Sequence, residues 1–368
     1  MTNRIPEIFG AMPERAMIAD QVAAYREYSQ NEGFFHLARE KAARIAMLRE
    51  RFAGRRIQRL FVGAHFAGIG FELPAVEVVT MARGWFERGL GDGLPALLAE
   101  LAGAIVLVGN NDLAFGQAAP GFIRAYAQAD DTIFLGWDHD NHHWMNATLT
   151  LAGHTDLYFP AHNENMFLLS RVNPLTAGPV PCGTIQWTKR LLAEQLGTML
   201  STRRHDEPLG RHVFYEAFKY RNQAVVTLNR HFKDIGFTEP SFAAKTPVER
   251  MAEWIAHKSH WIIPVLNDVP IRIFDALSTG GIPIVPESLR FLAPVADIPR
   301  EHIAFYGPDD LIDPRAVAAR AVALFDAGGP AGIAERHRLG LTAHHGSVRF
   351  HRMLAMAQER LEFAPLIG

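Results

Sequence analysis

Short apolar runs alternate with longer amphipathic stretches twice along this chain, and that alternation limits the fold more than any single motif. In the first half, 57–62 (IQRLFV), 104–108 (AIVLV), 132–136 (TIFLG) and 156–159 read as strands, with helices expected at 76–88, 94–101 and 123–128. In the second half, strands at 212–217, 261–266 and 282–285 are interleaved with helices at 223–234, 248–257 and 271–277, and helices at 314–327, 332–338 and 347–363 close the chain. Strands this short and apolar fit a parallel sheet covered by helices on both faces. At 368 residues the chain exceeds the roughly 250–300 at which a single core stops growing, so two domains are expected. The Pro/Gly-rich stretch 174–182 (PLTAGPVPC) reads as the linker. The expected division is a helical segment 1–52, a Rossmann-like domain 53–178, a second Rossmann-like domain 179–350 and a C-terminal helix 351–368. The fold class is therefore α/β, two Rossmann-like domains facing each other across a cleft. In such sheets ligands sit at the carboxyl ends of the strands.

Charge narrows the partners. Thirty-seven Lys and Arg against 39 Asp and Glu leave a net charge of −2, which offers no footprint for nucleic acid and no polybasic membrane patch. The single cysteine, Cys182, excludes an intrachain disulfide. The longest apolar stretch, 94–108, is interrupted by Glu100 and is shorter than the roughly 20 residues of a membrane span. Residues 1–10 lack the apolar core of a signal peptide. A soluble, cytoplasmic protein is the expectation.

The segment 262–285 (IIPVLNDVPIRIFDALSTGGIPIV) reads as strand, polar loop, helix and strand. Arg272 and Asp275 fall in the first turns of that helix, just after Pro270. A helix N-terminus presents unpaired N–H groups and a partial positive charge to an anion, and Arg272 would add a charge-assisted bond. A carboxylate such as Asp275 can accept both hydroxyls of a ribose, and Gly280 and Gly281 let backbone approach a ligand. An ordinary capped helix would carry the same residues. Upstream, Lys219, Tyr220 and Arg221 form a basic loop after the strand expected at 212–217.

These segments resemble the donor-binding half of GT-B glycosyltransferases. Residues 274–281 (FDALSTGG) take the place of that family's E-A-x-A-x-G-G helix, and 305–311 (FYGPDDL) looks like the following strand and acidic turn. The stretches 333–336 (IAER) and 342–347 (TAHHGS), with Arg349, are similar to the closing segment of the spore-maturation-protein-like (CgeB-like) glycosyltransferases. The resemblance covers about 210–356. It implies a nucleotide-diphosphate sugar donor held by Lys219, Arg221, Asn267, Arg272, Asp275, Ser278, Thr279, Gly280 and Gly281, with Lys219 and Arg221 on the diphosphate. Retaining members often carry two glutamates eight positions apart. Here Asn267 and Asp275 occupy those places, which leaves the stereochemical outcome open.

In the first half, 136–144 (GWDHDNHHW) follows a strand and begins a run of five histidines, His139, His142, His143, His154 and His162. Asp138, Asp140 and the histidines fit a metal site. They equally fit the cation-holding Asp-x-Asp of GT-A glycosyltransferases, or a metal-free site in which Asp138, His139 or Asp140 removes a proton from an acceptor hydroxyl. Helix-capping residues would look alike. Trp137 and Trp144 could stack on a sugar. His65, in the loop 63–70 (GAHFAGIG), is the other candidate base; that loop does not match a dinucleotide fingerprint. Asn111, His142, His162 and Glu164 follow strands and are expected to contact the acceptor.

The reading that joins these segments is a glycosyltransferase moving a sugar from a nucleotide donor to a hydroxyl acceptor. It would need no metal or other cofactor besides the co-substrate. The rivals are a nucleotide-sugar epimerase or hydrolase of the same fold, a non-catalytic sugar-nucleotide-binding protein, and a metal-dependent Asp-x-Asp transferase.

Overall fold

The computed structural model describes residues 23, 33–71, 73–114, 116–139, 145–170, 172–238, 245–266 and 268–366. They form two units. The first holds the described residues up to Pro181 together with those from Ser347, and the second is Cys182–Gly346.

The first unit is built on five parallel strands, β1 (Arg59–Gly63), β2 (Glu77–Met81), β3 (Ala104–Val108), β4 (Thr132–Asp138) and β5 (Leu157–Pro160), in the order β2-β1-β3-β4-β5. Every residue of β3 and β4 is buried, which is why both read as apolar runs. Around them pack helices α1 (Gly33–Phe52), α2 (Leu94–Leu101), α3 (Ala118–Gln128), α4 (Met145–Gly153) and α5 (Asn163–Leu169). Phe61, Val106, Phe122, Phe134 and Leu97 centre one core. The first helix belongs to this sheet: Arg44 pairs with buried Asp156 at 2.5 Å, and Lys41 donates to Tyr126 Oη at 2.8 Å. The C-terminal helix, Gly346–Leu361, joins the same unit through Phe350 against Phe71 and through Arg49 Nε, which donates to the Arg360 carbonyl.

The second unit carries β6 (Gly210–His212), β7 (Ile235–Phe237), β8 (Ser259–Trp261), β9 (Ile282–Pro286) and β10 (Ala304–Tyr306), all in parallel pairs. β6 pairs with β7, and β8-β9-β10 form a second ladder. Leu209 joins the two: its N–H donates to the Ser259 carbonyl at 3.0 Å and its carbonyl accepts from Trp261 N–H at 2.7 Å. The spatial order β7-β6-β8-β9-β10 thus repeats that of the first sheet. The main helices are α6 (Lys219–Asn229), α7 (Pro247–Ile255), α8 (Ile271–Ser278) and α9 (Pro314–Ala343), the last bent at Gly329. α7 starts on a capping box, with Thr246 and Glu249 exchanging side-chain and backbone bonds and Pro247 in the first turn. Both units are α/β and Rossmann-like, with the strand order of a doubly wound sheet. No described helix is long and apolar enough to cross a membrane.

Several local expectations fail. The stretch 76–88 is not a helix: its β-branched Val78, Val79 and Thr80 lie in edge strand β2, and a 3₁₀ turn, Trp85–Gly89, follows. The helix expected at 223–234 starts earlier and ends at Asn229, and Ile235–Phe237 pairs as β7. The ladders of β6 and β8 end at His212 and Trp261, so 213–217 and 262–266 are loop rather than strand. The stretch 174–182 contains the division between the two units, at Pro181 and Cys182, and part of it is tied to the first sheet. Ala177 N–H donates to the Tyr158 carbonyl and Val180 N–H to that of Pro160, so the chain runs along β5 with Thr176, Ala177 and Val180 buried.

Candidate functional site

A doubly wound sheet opens a crevice where its strand order reverses, outside the carboxyl ends of the two strands that part there. In the first unit those strands are β1 and β3, and in the second β6 and β8. Each opening carries chemistry.

In the second unit α6 and α8 both begin at this end, and each brings an arginine in its first turn, Arg221 and Arg272. Both guanidiniums meet one imidazole: Nδ1 of His212, the last residue of β6, accepts from Arg272 Nη1 at 3.1 Å and from Arg221 Nη2 at 3.5 Å. His212 is fully buried, and burial, then the charges of Arg272 and Arg221, hold its pKa well below the usual value. It is a neutral acceptor with its proton on Nε2. Arg221 is buried too, donating to the carbonyls of Ile263 at 3.1 Å and Val213 at 2.7 Å. Burial and the neighbouring Arg272 lower its pKa to about 10, so it stays charged at neutral pH. Neither arginine forms an ion pair with a carboxylate among the described residues. The loop after β8 is strained at Leu266, a non-glycine residue at φ 48°. The remaining donor residues from the sequence fall differently. Lys219, at the start of α6, is exposed, and Asn267 lies outside the described residues. Asp275 faces inward: fully buried, it accepts from Thr184 Oγ1 at 2.9 Å and Gln186 Nε2 at 2.6 Å, which occupy the oxygens expected to take a ribose.

Ser278, Thr279, Gly280 and Gly281 sit at the other end of α8, leading into the start of β9 and away from the carboxyl ends of the strands. Their carbonyls are taken by the protein: Ser278 O accepts from His337, Thr279 O from Arg204 and Gly280 O from Arg336. The two glycines serve packing, since a Cβ at Gly280 would lie 2.6 Å from Ile333 and one at Gly281 2.5 Å from His260. A donor role for these four is thus not what their placement favours.

In the first unit, β4 ends in Trp137 and Asp138 and His139 follows, all three buried. Asp138 Oδ2 accepts from Thr148 Oγ1 at 2.6 Å and from Tyr158 Oη at 2.8 Å, and Asn110 Nδ2 donates to the same threonine at 3.2 Å. His139 Nδ1 lies 3.2 Å from Nε2 of half-buried His65, and its carbonyl accepts from His162 Nε2 at 3.2 Å. Burial, then the neighbouring His65 and His162, keep His139 neutral well below the usual imidazole range. His65 is held from beneath: half-buried Asp112 accepts from the Gly109 amide at 2.9 Å and from those of Ala64 and His65, tying the loops after β1 and β3 together. This needs a glycine at the end of β1, because a Cβ on Gly63 would lie 1.8 Å from Asp112 Oδ2. With a proton on His65 Nε2 donated to His139, His65 Nδ1 becomes the atom that can take a proton from a hydroxyl, the third group orienting the base as in catalytic triads.

Of the other first-unit candidates, Asn111 is half-buried in the turn Asn110–Leu113 and His162 is buried at the start of α5. Asp140, His142, His143 and Trp144 lie outside the described residues, as does the side chain of Glu164. Trp137 is packed away from any sugar, stacked on Phe66 with its Nε1–H donating to the Val180 carbonyl. Among the described residues no group of three or more His, Cys, Asp or Glu is arranged to hold a metal ion. Sequence reasoning passed over His212, Thr148, Tyr158, Gln186 and Thr184. Each is a single polar residue whose partner lies in another element, with no local pattern to mark it.

No protein-family model matches the sequence, and no curated protein does. The CgeB-like resemblance therefore rests on the sequence segments alone. Among solved structures, the chain is similar to the catalytic domain of starch synthase IV from Arabidopsis thaliana bound to ADP and acarbose, at 12% identity and a TM-score of 0.42 over 75% of this chain and 77% of that one. It is also similar to a protein from Listeria monocytogenes described as a UDP-N-acetylglucosamine 2-epimerase, at 12% identity and a TM-score of 0.42 over 84% of this chain and 98% of that one.

Proposed function

We propose that the chain is a glycosyltransferase that takes a sugar from a nucleotide-diphosphate donor and passes it to a hydroxyl acceptor without a divalent metal. One observation carries the reading. Arg221 and Arg272 stand in the first turns of two helices, where the helix dipole disfavours a cation by about 0.3–1 kcal/mol each. They converge there on a neutral histidine at the strand-order reversal. An arrangement that crowds two guanidiniums onto two positive helix ends suits a ligand with two adjacent negative groups, and a diphosphate has that shape. As the glycosidic bond breaks, charge builds on the leaving diphosphate, and the fixed guanidiniums and amides stabilise it. His65, oriented by His139, is the base that takes the acceptor's proton. Asp138 keeps its place in the site by holding Thr148 and Tyr158 rather than by meeting the acceptor.

Calorimetric titration with UDP, ADP and GDP, followed by the same titration of Arg272→Ala, tests the donor site. At least one nucleotide should bind the wild type, and the variant should weaken it tenfold or more while melting no lower. A wild type that binds none of the three sinks the donor assignment. Equal binding by Arg272→Ala leaves the fold standing but not this site.

A further inference from the structure

The second sheet ends at β10, the last strand in its order, and a cavity of about 980 Å³ opens along that edge. Three arginines line it, Arg290, Arg300 and Arg320, together with Phe291, Phe305 and Asp310. Arg290 pairs with Glu287 at 2.5 Å, and Arg320 pairs with Asp310 at 3.5 Å and donates to the Phe305 carbonyl at 3.3 Å. Arg300 has no ion pair among the described residues, so the cavity holds one guanidinium in excess of its carboxylates. The guanidiniums of Arg290 and Arg300 lie 4.9 and 5.0 Å from the centre of the same Phe305 ring. That cation–π contact fixes two side chains that would otherwise sweep the solvent, so less freedom is lost when they bind an anion. Beside them Phe291 is 81% exposed, the most exposed large apolar side chain described. A flat ring can cover it.

We propose that this edge binds a small phosphorylated compound carrying a planar ring, with the size and charge of a nucleoside monophosphate. Arg300 and Arg290 take the phosphate, whose oxygens match the guanidinium fork. The ring lies on Phe291. The cavity is within the size range of small-molecule pockets. It shares no residue with the Arg221–Arg272 end, and the proposal stands whether or not that end binds a donor.

The test is a fluorescence-anisotropy titration of the whole chain with methylanthraniloyl-AMP, in the wild type and in Arg300→Ala, Phe291→Ser and Arg272→Ala. All three altered side chains are at least partly exposed, and matching melting curves check that each variant folds. Saturable binding is expected in the wild type, weakened tenfold or more by Arg300→Ala and by Phe291→Ser. Arg272→Ala should leave that binding event in place. AMP should displace the probe at a lower concentration than either inorganic phosphate or adenosine. The proposal is overturned if the wild type shows no saturable binding, or if Arg300→Ala and Phe291→Ser bind as the wild type does. It falls equally if Arg272→Ala abolishes all binding, which would place the probe at the other end of the unit. Displacement by phosphate as effective as by AMP would overturn the role given to the ring.

Discussion

Replacing Asp275 with Asn removes a carboxylate that the second unit buries completely beside neutral donors. Burial is the largest influence and pushes its pKa from 3.8 to about 7; the bonds from Gln186 and Thr184 pull the other way without offsetting it. The sign follows from proton counting. Between the two pKa values the unfolded chain has released the proton and the folded chain still holds it, so stability falls as pH rises. The contribution is complete below the unfolded pKa, declines by about 1.4 kcal/mol per pH unit and levels off above pH 7, a total on the order of 4 kcal/mol. Asn is neutral throughout and reproduces the protonated acid. Its oxygen accepts from Gln186, and its amide donates to Thr184 Oγ1, which turns its own hydrogen toward Ser278 Oγ, 3.2 Å away. Asp275→Asn should therefore match the wild type near pH 4 and exceed it by about 4 kcal/mol at pH 8.

Buried His139, His212 and His260 add a slope of opposite sign, because imidazoles held neutral in the fold gain stability as pH rises through the usual imidazole range. That slope is common to both proteins and cancels in their difference. Hydrogen exchange of the α8 and β9 amides, read by mass spectrometry from pH 4.5 to 8.5, follows this unit alone and avoids assuming that two units unfold together. A difference that stays flat with pH would refute the desolvation argument. So would an Asn variant less stable than the wild type at pH 8, since the ionised carboxylate would then be favourable.

Three further substitutions probe the packing and the first-unit site. Lys41 has its pKa lowered to about 7, chiefly by burial, so the unfolded state binds the extra proton from there up to 10.5 and stability rises across that window; in Lys41→Met, denaturation between pH 7 and 10 should lose that rise. Gly340 lets α9 pass close to α8, where a Cβ would come within 2.5 to 2.8 Å of Ser278 Oγ, N and Cα. Gly340→Ala should cost about 1–3 kcal/mol in urea denaturation, and an unchanged midpoint would mean the helices part freely. His139 should stay neutral at pH 5.5 in imidazole ¹⁵N spectra, and a titration near 6.5 would contradict its burial. His65→Ala should lower sugar transfer by about 10²–10⁴-fold with nucleotide affinity unchanged, and a loss confined to affinity would remove His65 from the role of base.

The sheet interiors were legible because burial on both faces leaves its mark within a few residues: AIVLV at β3 and TIFLG within β4 need no partner to be recognised. β2 was misread for the opposite reason. Its pattern of exposed and half-buried residues belongs to an edge strand, and Glu77, Met81 and Arg83 blur the alternation of the valines. Arg221 and Arg272 could be picked out as bases beside expected helix starts. What the sequence does not carry is their meeting on His212, which depends on a strand ending at 212 rather than 217. Asp275 shows the limit most clearly. Its place one turn into a helix suggested a ligand contact, yet its environment is set by Thr184 and Gln186, some 90 residues earlier in the chain. The Gly280–Gly281 pair misled likewise, since a glycine that admits His260 or Ile333 looks in sequence like one that admits a ligand.

The chain builds one strand order twice and furnishes its two openings with opposite chemistry. At β1 and β3 the groups are imidazoles and a carboxylate, and burial keeps His139 neutral so that it can receive a proton's hydrogen bond without competing for the charge. At β6 and β8 the groups are guanidiniums, and burial again produces a neutral imidazole, His212, which accepts from two cations without adding a third. Desolvation thus does different work in each unit. In the first it leaves His65 as the half-buried member of a pair whose partner stays neutral. In the second it lets two positive charges stand close together on two positive helix ends, an arrangement that costs stability in the free protein and that the proposed anionic ligand would offset. Under the proposed function, the second opening alone would account for binding a nucleotide but not for transfer. The base in the first is what turns the proposal from binding to transfer, and the contrast between Arg272→Ala, which should lose affinity, and His65→Ala, which should lose turnover alone, tests that division.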